Sequence, residues 1–161
     1  MSGLRELRSW RRVRLSLVRE RAEEPYRVAR SVRCGADVVQ LLQRFLGDDP
    51  RETFACVYLD GRNQTLAIHA CSVGTAGSAP VHPREVFGPA LLCSASALIV
   101  AHNHPSGDAT PSPEDRQITE RLRQVGELLG VELLDHVVIG EGRFYSFADE
   151  RCHPIGGRAD G

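Results

Sequence analysis

The residues of this chain best suited to chemistry crowd into AHNHPSGDATPSPED, residues 101–115. Fifteen positions hold two histidines, two serines, three acids, three prolines and one glycine. A core helix or strand needs no such mixture. His102 and His104 are two apart, and at a strand end residues i and i+2 point the same way, so the two imidazoles form a natural metal pair. A catalytic zinc takes three protein ligands and leaves the fourth position to water. The third ligand must come from elsewhere. Asp115 is placed for it, because segment 105–111 turns the chain and Asp115 falls on the first turn of the next helix. Ser112 and Asp115 also have a purely structural explanation. SPED sets serine at the N-cap, proline at the first helical position and two acids in the first turn, where free backbone N–H groups and the helix dipole favour them. A cap therefore explains the serine and the aspartate without a metal. It does not explain two histidines between a buried strand and a helix start.

Those residues need a frame, and the rest of the chain supplies its elements. CGADVVQLLQRFLG (34–47) has the helical period and stops at Gly47. TFACVYLD (53–60) is β-branched and aromatic, as a strand is, and QTLAIHACSVG (64–74) reads as its partner across a GRN turn. TAGSAP is loop, and PREVFGPALLCSA (83–95) is a helix with proline in its first turn. SALIVAH (96–102) is wholly apolar, the pattern of a strand buried on both faces. PEDRQITERLRQVGELLG (113–130) is an amphipathic helix ending at Gly130. VELLDHVVIG (131–140) and RFYSFA (143–148) close the domain as two strands around an EG turn. The order α β β α β α β β predicts one α/β domain, a mixed sheet with helices packed on it.

Composition sets the outer bounds. A chain of 161 residues, 42% apolar, can bury one core of ordinary size. No run of about eighteen apolar residues occurs, and no apolar segment follows the basic start as in a signal peptide, so a cytoplasmic protein without a membrane span is expected. Five cysteines, none at a C-x-x-C spacing, argue against a disulfide framework or a cysteine-rich zinc module; Cys56 and Cys93 read as small core residues. All 20 basic residues are arginine. Residues 1–33 carry ten arginines and four glutamates, net +6, and the remainder carries ten arginines and seventeen acids, net −7, which together make the net −1 of the whole. A basic head on an acidic body can contact nucleic acid, an acidic partner or its own domain. Within that head, LRELRSWRRVRLSLVRER partly fits a helical apolar stripe.

The pattern H-x-H-x7-S-x2-D is met in full by His102, His104, Ser112 and Asp115, and HPREVF (82–87) and LLDHVVIG (from Leu133) flank it in order. In these motifs the chain resembles the JAMM (MPN-type) metalloprotease domain, specifically its bacterial RadC-like branch, over roughly residues 31–149. Ala109 stands where such proteins often have proline. Such proteins commonly carry an N-terminal helix-hairpin-helix-like region, whereas about thirty arginine-rich residues precede the domain here. The resemblance implies a cytidine-deaminase-like α/β fold with zinc held by His102, His104 and Asp115. It makes Ser112 a group that stabilises the oxyanion, and asks for an upstream glutamate near the start of the first strand as general base. Glu52 occupies that place. Glu85 is the rival base, but it lies in the first turn of helix 83–95, where the dipole alone accounts for it; Glu52 precedes a strand, where glutamate is not favoured.

The expected division is an arginine-rich extension (1–30), a catalytic domain (31–149) and a tail (150–161). The expected function is zinc-dependent hydrolysis of a peptide or isopeptide bond in a protein or peptide substrate. The alternative is a DNA-associated, RadC-like repair or accessory protein whose metal site is secondary and whose residues 1–33 touch nucleic acid without sequence preference. A nucleobase deaminase would need H-x-E and P-C-x-x-C, and neither is present. Among the remaining histidines, His69 reads as a sheet-face residue, His82 as a helix cap, His136 as buried and hydrogen-bonded behind the site, and His153 as part of the tail.

Overall fold

The fold was analysed in a computed structural model, which describes residues 31–32, 34–46, 51–74 and 81–156. Residues 1–30, with the helical stripe expected in them, lie outside the described residues. The elements are α1 (Gly35–Leu46), β1 (Glu52–Leu59), β2 (Thr65–Gly74), α2 (Pro83–Leu92), β3 (Ala97–Asn103), α3 (Pro113–Leu129), β4 (Glu132–Ile139), β5 (Arg143–Ser146) and β6 (Arg151–Pro154). They form one mixed six-stranded sheet in the order β2-β1-β3-β4-β5-β6. Among the described pairings, β3 and β4 run parallel and the others antiparallel.

The apolar run of β3 is explained by its place at the centre. Ala97, Ile99 and Ala101 pack into one core with α1 residues Val38, Val39 and Leu42. Leu98 and Val100 face the other way, into a second core with Val86 and Phe87 of α2 and Leu122 of α3. Strand β1 divides the same way, Ala55, Val57 and Leu59 on one face and Phe54, Cys56 and Tyr58 on the other. The sheet is therefore covered on both faces, by α1 on one and by α2 and α3 on the other, the burial that makes strands continuously hydrophobic.

Two expectations are corrected. The helix from Pro83 ends at Leu92 rather than running to residue 95, because Cys93 caps it and Ser94 turns with φ 55°. Residues 151–154, expected in a tail, pair antiparallel with β5 as a sixth strand. RCHP has no strand-like alternation; its proline is tolerated because the strand lies at the sheet's edge, and His153 stacks on Phe144 with ring centroids 5.0 Å apart. Among the described residues, no helix is long and apolar enough to cross a membrane.

Candidate metal centre

The site forms where β3 ends. His102 is in register with Phe54 of β1 on one side and Val138 of β4 on the other, and it is buried. The Phe54 ring stacks on it at 5.8 Å with the planes 13° apart. His104 lies just beyond the strand, where its N–H donates to Ile139 O at 2.9 Å. The following loop folds back on itself: Gly107 N–H donates to His104 O (2.9 Å), and Glu141 N–H to Gly107 O (2.7 Å). Gly107 takes φ +82°, a conformation glycine adopts without strain. At Gly140 an added Cβ would strike Gly107 O and the Ala109 backbone, so a glycine there lets the loop lie flat against the β4–β5 turn. The loop's Asp108 carbonyl in turn meets His104 Nδ1 at 2.7 Å, which turns the opposite ring nitrogen, Nε2, toward the site.

Helix α3 brings the third residue. Ser112 is its N-cap and forms a reciprocal capping box: Asp115 N–H donates to Ser112 Oγ (3.1 Å), and Ser112 N–H to Asp115 Oδ2 (2.7 Å). The structural role read from SPED is thus real, and it coexists with a second set of contacts. His102 Nε2 lies 3.1 Å from Asp115 Oδ1, His104 Nε2 3.4 Å from Asp115 Oδ2, and the two histidine Nε2 atoms are 3.0 Å apart. The three ligand atoms all fall within 4.8 Å of one another. Two imidazoles and one carboxylate sharing a focus fit a borderline divalent cation such as zinc, which takes nitrogen and oxygen donors together. Burial pushes the Asp115 carboxyl up, but hydrogen bonds from both histidines and the charge of His102 outweigh it and hold the group well below the usual carboxylate range. The Asp115 hydrogen bond holds His104 above its ordinary value against the opposing pull of burial.

Sequence reasoning left the histidines' orienting groups unnamed; the structure supplies them. His136 of β4 is fully buried, with Nε2 2.9 Å from His102 Nδ1 and Nδ1 2.6 Å from Thr119 Oγ1. Burial presses its pKa well below the ordinary histidine value. Phe147 stacks on its ring at 4.8 Å. Asp135 anchors the same strand, accepting from His136 N–H (2.7 Å), Ser146 Oγ–H (2.7 Å) and Ala148 N–H (2.9 Å). His136 was legible in DH between apolar residues; Thr119 was not, since a threonine in an amphipathic helix carries no signal of its own.

The two candidate bases part company. Asn103 ties the end of β3 to the start of β1 on both sides of Glu52, accepting from Thr53 N–H (2.8 Å) and donating to Arg51 O (3.0 Å). The charge of Glu52 acts on His104. The charge of Glu85 acts instead on Cys71, whose sulfur is 3.1 Å from Cys56 Sγ on the neighbouring strand. Glu114 is exposed in the first turn of α3. His82 occupies the N-cap of α2, but its side chain makes no capping bond, and His69 is exposed on β2.

Comparison with known proteins matches residues 32–152 to the family model described as the RadC-like JAB domain. Similar curated proteins include a UPF0758 protein of Desulforamulus reducens, 45% identical over 82% of this chain and 58% of its own length. The UPF0758 protein YsxA of Bacillus subtilis is 44% identical over 84% of this chain and 57% of its own. A UPF0758 protein of Methanosarcina mazei is 44% identical over 80% and 55%. The chain thus spans little more than half the length of these relatives, and their names state no activity.

Proposed function

This chain belongs to the RadC-like JAB domain family, and on that premise we propose that it is a zinc-dependent hydrolase of the JAMM type, cutting peptide or isopeptide bonds. The observation behind this is the convergence of His102, His104 and Asp115 on one focus, with Glu52 opening β1 two residues before Phe54, the register partner of His102. When bound, zinc would supply a water acidified towards pH about 7 and a Lewis acid for the scissile carbonyl. The remaining work belongs to the chain. Glu52 takes a proton from the attacking water and returns it to the leaving amine. The Ser112 oxygen accepts the Asp115 N–H, which leaves its hydroxyl proton free to donate to the developing oxyanion. Asp115, held anionic, keeps its place through the capping box.

Metal content is the first test. Tag-free wild type is expected to hold near-stoichiometric zinc by elemental mass spectrometry, and His104→Ala to lose it. On a panel of fluorogenic and isopeptide-linked peptides, Glu52→Gln is expected to retain zinc while hydrolysis falls by about 10²–10⁴-fold. A Glu52→Gln protein as fast as wild type would remove that residue from the mechanism. A wild type that stays metal-free after reconstitution would remove the hydrolase.

A further inference from the structure

Behind the metal-facing residues runs a line of hydrogen bonds that ends on the backbone of one of them. His102 Nδ1 meets His136 Nε2 at 2.9 Å, His136 Nδ1 meets Thr119 Oγ1 at 2.6 Å, and Thr119 Oγ1 meets the Asp115 carbonyl oxygen at 2.6 Å. His136 and Thr119 are both buried. The direction of this line follows from counting protons. A carbonyl oxygen can only accept, so the single Thr119 proton goes to Asp115 O. At 2.6 Å from His136 Nδ1, Thr119 Oγ1 must then accept a proton from that nitrogen, because two lone pairs would repel at that distance. A fully buried imidazole with no carboxylate on its ring holds one proton. His136 Nε2 therefore accepts, and His102 Nδ1 donates to it. That leaves Nε2 as the His102 nitrogen facing Asp115 Oδ1 and His104 Nε2, the one that must give up any proton to ligate a metal.

We propose that Thr119 and His136 are positioning residues that fix His102 in its Nδ1–H form, and that this form is set from the backbone of Asp115, another residue of the same site. The inference rests on the reading of His102 as a zinc ligand. A ligating imidazole must offer an unprotonated nitrogen, and a fixed acceptor on its far side holds both tautomer and ring plane. Without the Thr119 hydroxyl to accept the His136 Nδ1 proton, the line can run backwards. His136 then donates from Nε2 to His102 Nδ1, and the His102 proton moves to Nε2, where a metal would have to displace it.

The test compares wild type, Thr119→Ser and Thr119→Val for zinc affinity by competition with a chromogenic chelator. The same proteins, zinc-loaded and ¹⁵N-histidine-labelled, are read by NMR for the His136 tautomer, with thermal melts of the metal-free forms alongside. Thr119→Ser, which keeps the hydroxyl, is expected to bind within a few-fold of wild type. Thr119→Val, of similar shape, is expected to bind about 10–100-fold more weakly at temperatures where its melt shows it folded. In zinc-loaded wild type, His136 is expected to carry its proton on Nδ1, a reading that stands even where the valine variant fails to fold. Equal zinc affinity in all three proteins, or His136 protonated on Nε2 in the zinc-loaded wild type, overturns the relay and leaves the zinc site standing. Absence of zinc from the wild type overturns both.

Discussion

At Asp115 one carboxylate meets three neighbours. Oδ2 accepts the Ser112 N–H and faces His104, while Oδ1 faces His102. Ser112 caps α3 and, on the proposed mechanism, also donates to the oxyanion, and substitution can pull these two apart. Loss of an N-cap hydroxyl costs about 1 kcal/mol in alanine but only a few tenths in glycine. Ser112→Ala should therefore lower the melting temperature more than Ser112→Gly, while both slow hydrolysis equally, by about 10²–10³-fold, with zinc retained. A glycine variant as active as wild type would confine Ser112 to capping. His104 makes the site pH-dependent. Its folded pKa is raised by Asp115, so its proton stabilises the metal-free fold below the unfolded value of about 6.5, and that contribution fades as pH rises through the folded pKa. Zinc needs the neutral ring. The rise in melting temperature on adding zinc should thus be small below about pH 6.5 and grow as pH climbs through the folded pKa. A zinc-induced shift that is flat across that window would rule out His104 as a ligand.

At the scale of elements, the site depends on one loop being pressed against one turn. Residues 104–111 are held by the Ile139, Gly107 and Glu141 backbone bonds, and the close approach at Gly140 leaves no room for a Cβ. Gly140→Ala should destabilise the fold by about 1–3 kcal/mol, as overpacking does. It should also weaken zinc binding, because the Asp108 carbonyl that orients His104 sits on the displaced segment. Calorimetry with and without zinc checks both. A variant that loses stability but keeps its zinc affinity would show that the loop does not orient the histidine.

For the whole molecule, the separation of charge bears on the alternative reading, a DNA-associated role. The acidic remainder of the chain holds the site, and the +6 of residues 1–33 favours that role alongside the RadC likeness. Contacts of that kind neutralise phosphates and release counterions, so affinity for DNA should fall steeply and linearly in log–log form with salt. Removing residues 1–30 should abolish binding while leaving zinc content unchanged. Fluorescence anisotropy at several salt concentrations measures it, and affinity that survives the deletion would exclude the arginine-rich head as the contact.

What the sequence determined by itself was local chemistry. The two-residue spacing of His102 and His104, the helix-start grammar of SPED and the wholly apolar SALIVAH each follow from short-range rules of backbone geometry, and each stands where those rules put it. Glu52 came from the family resemblance and was preferred over Glu85 because a strand start has no local use for an acid. Tertiary structure decided everything that needs residues far apart in the chain to meet. Thr119 and His136 join the site only because β3 and β4 run parallel with Val100 beside His136 while α3 packs over them. The strand at 151–154 exists only because β5 offers it an edge. Glu52 parts from Glu85 because β1 begins beside the end of β3 while α2 lies against β2. Residue type and spacing can mark a ligand, but the direction of a hydrogen bond between distant elements is set by packing, and packing is a property of the folded whole.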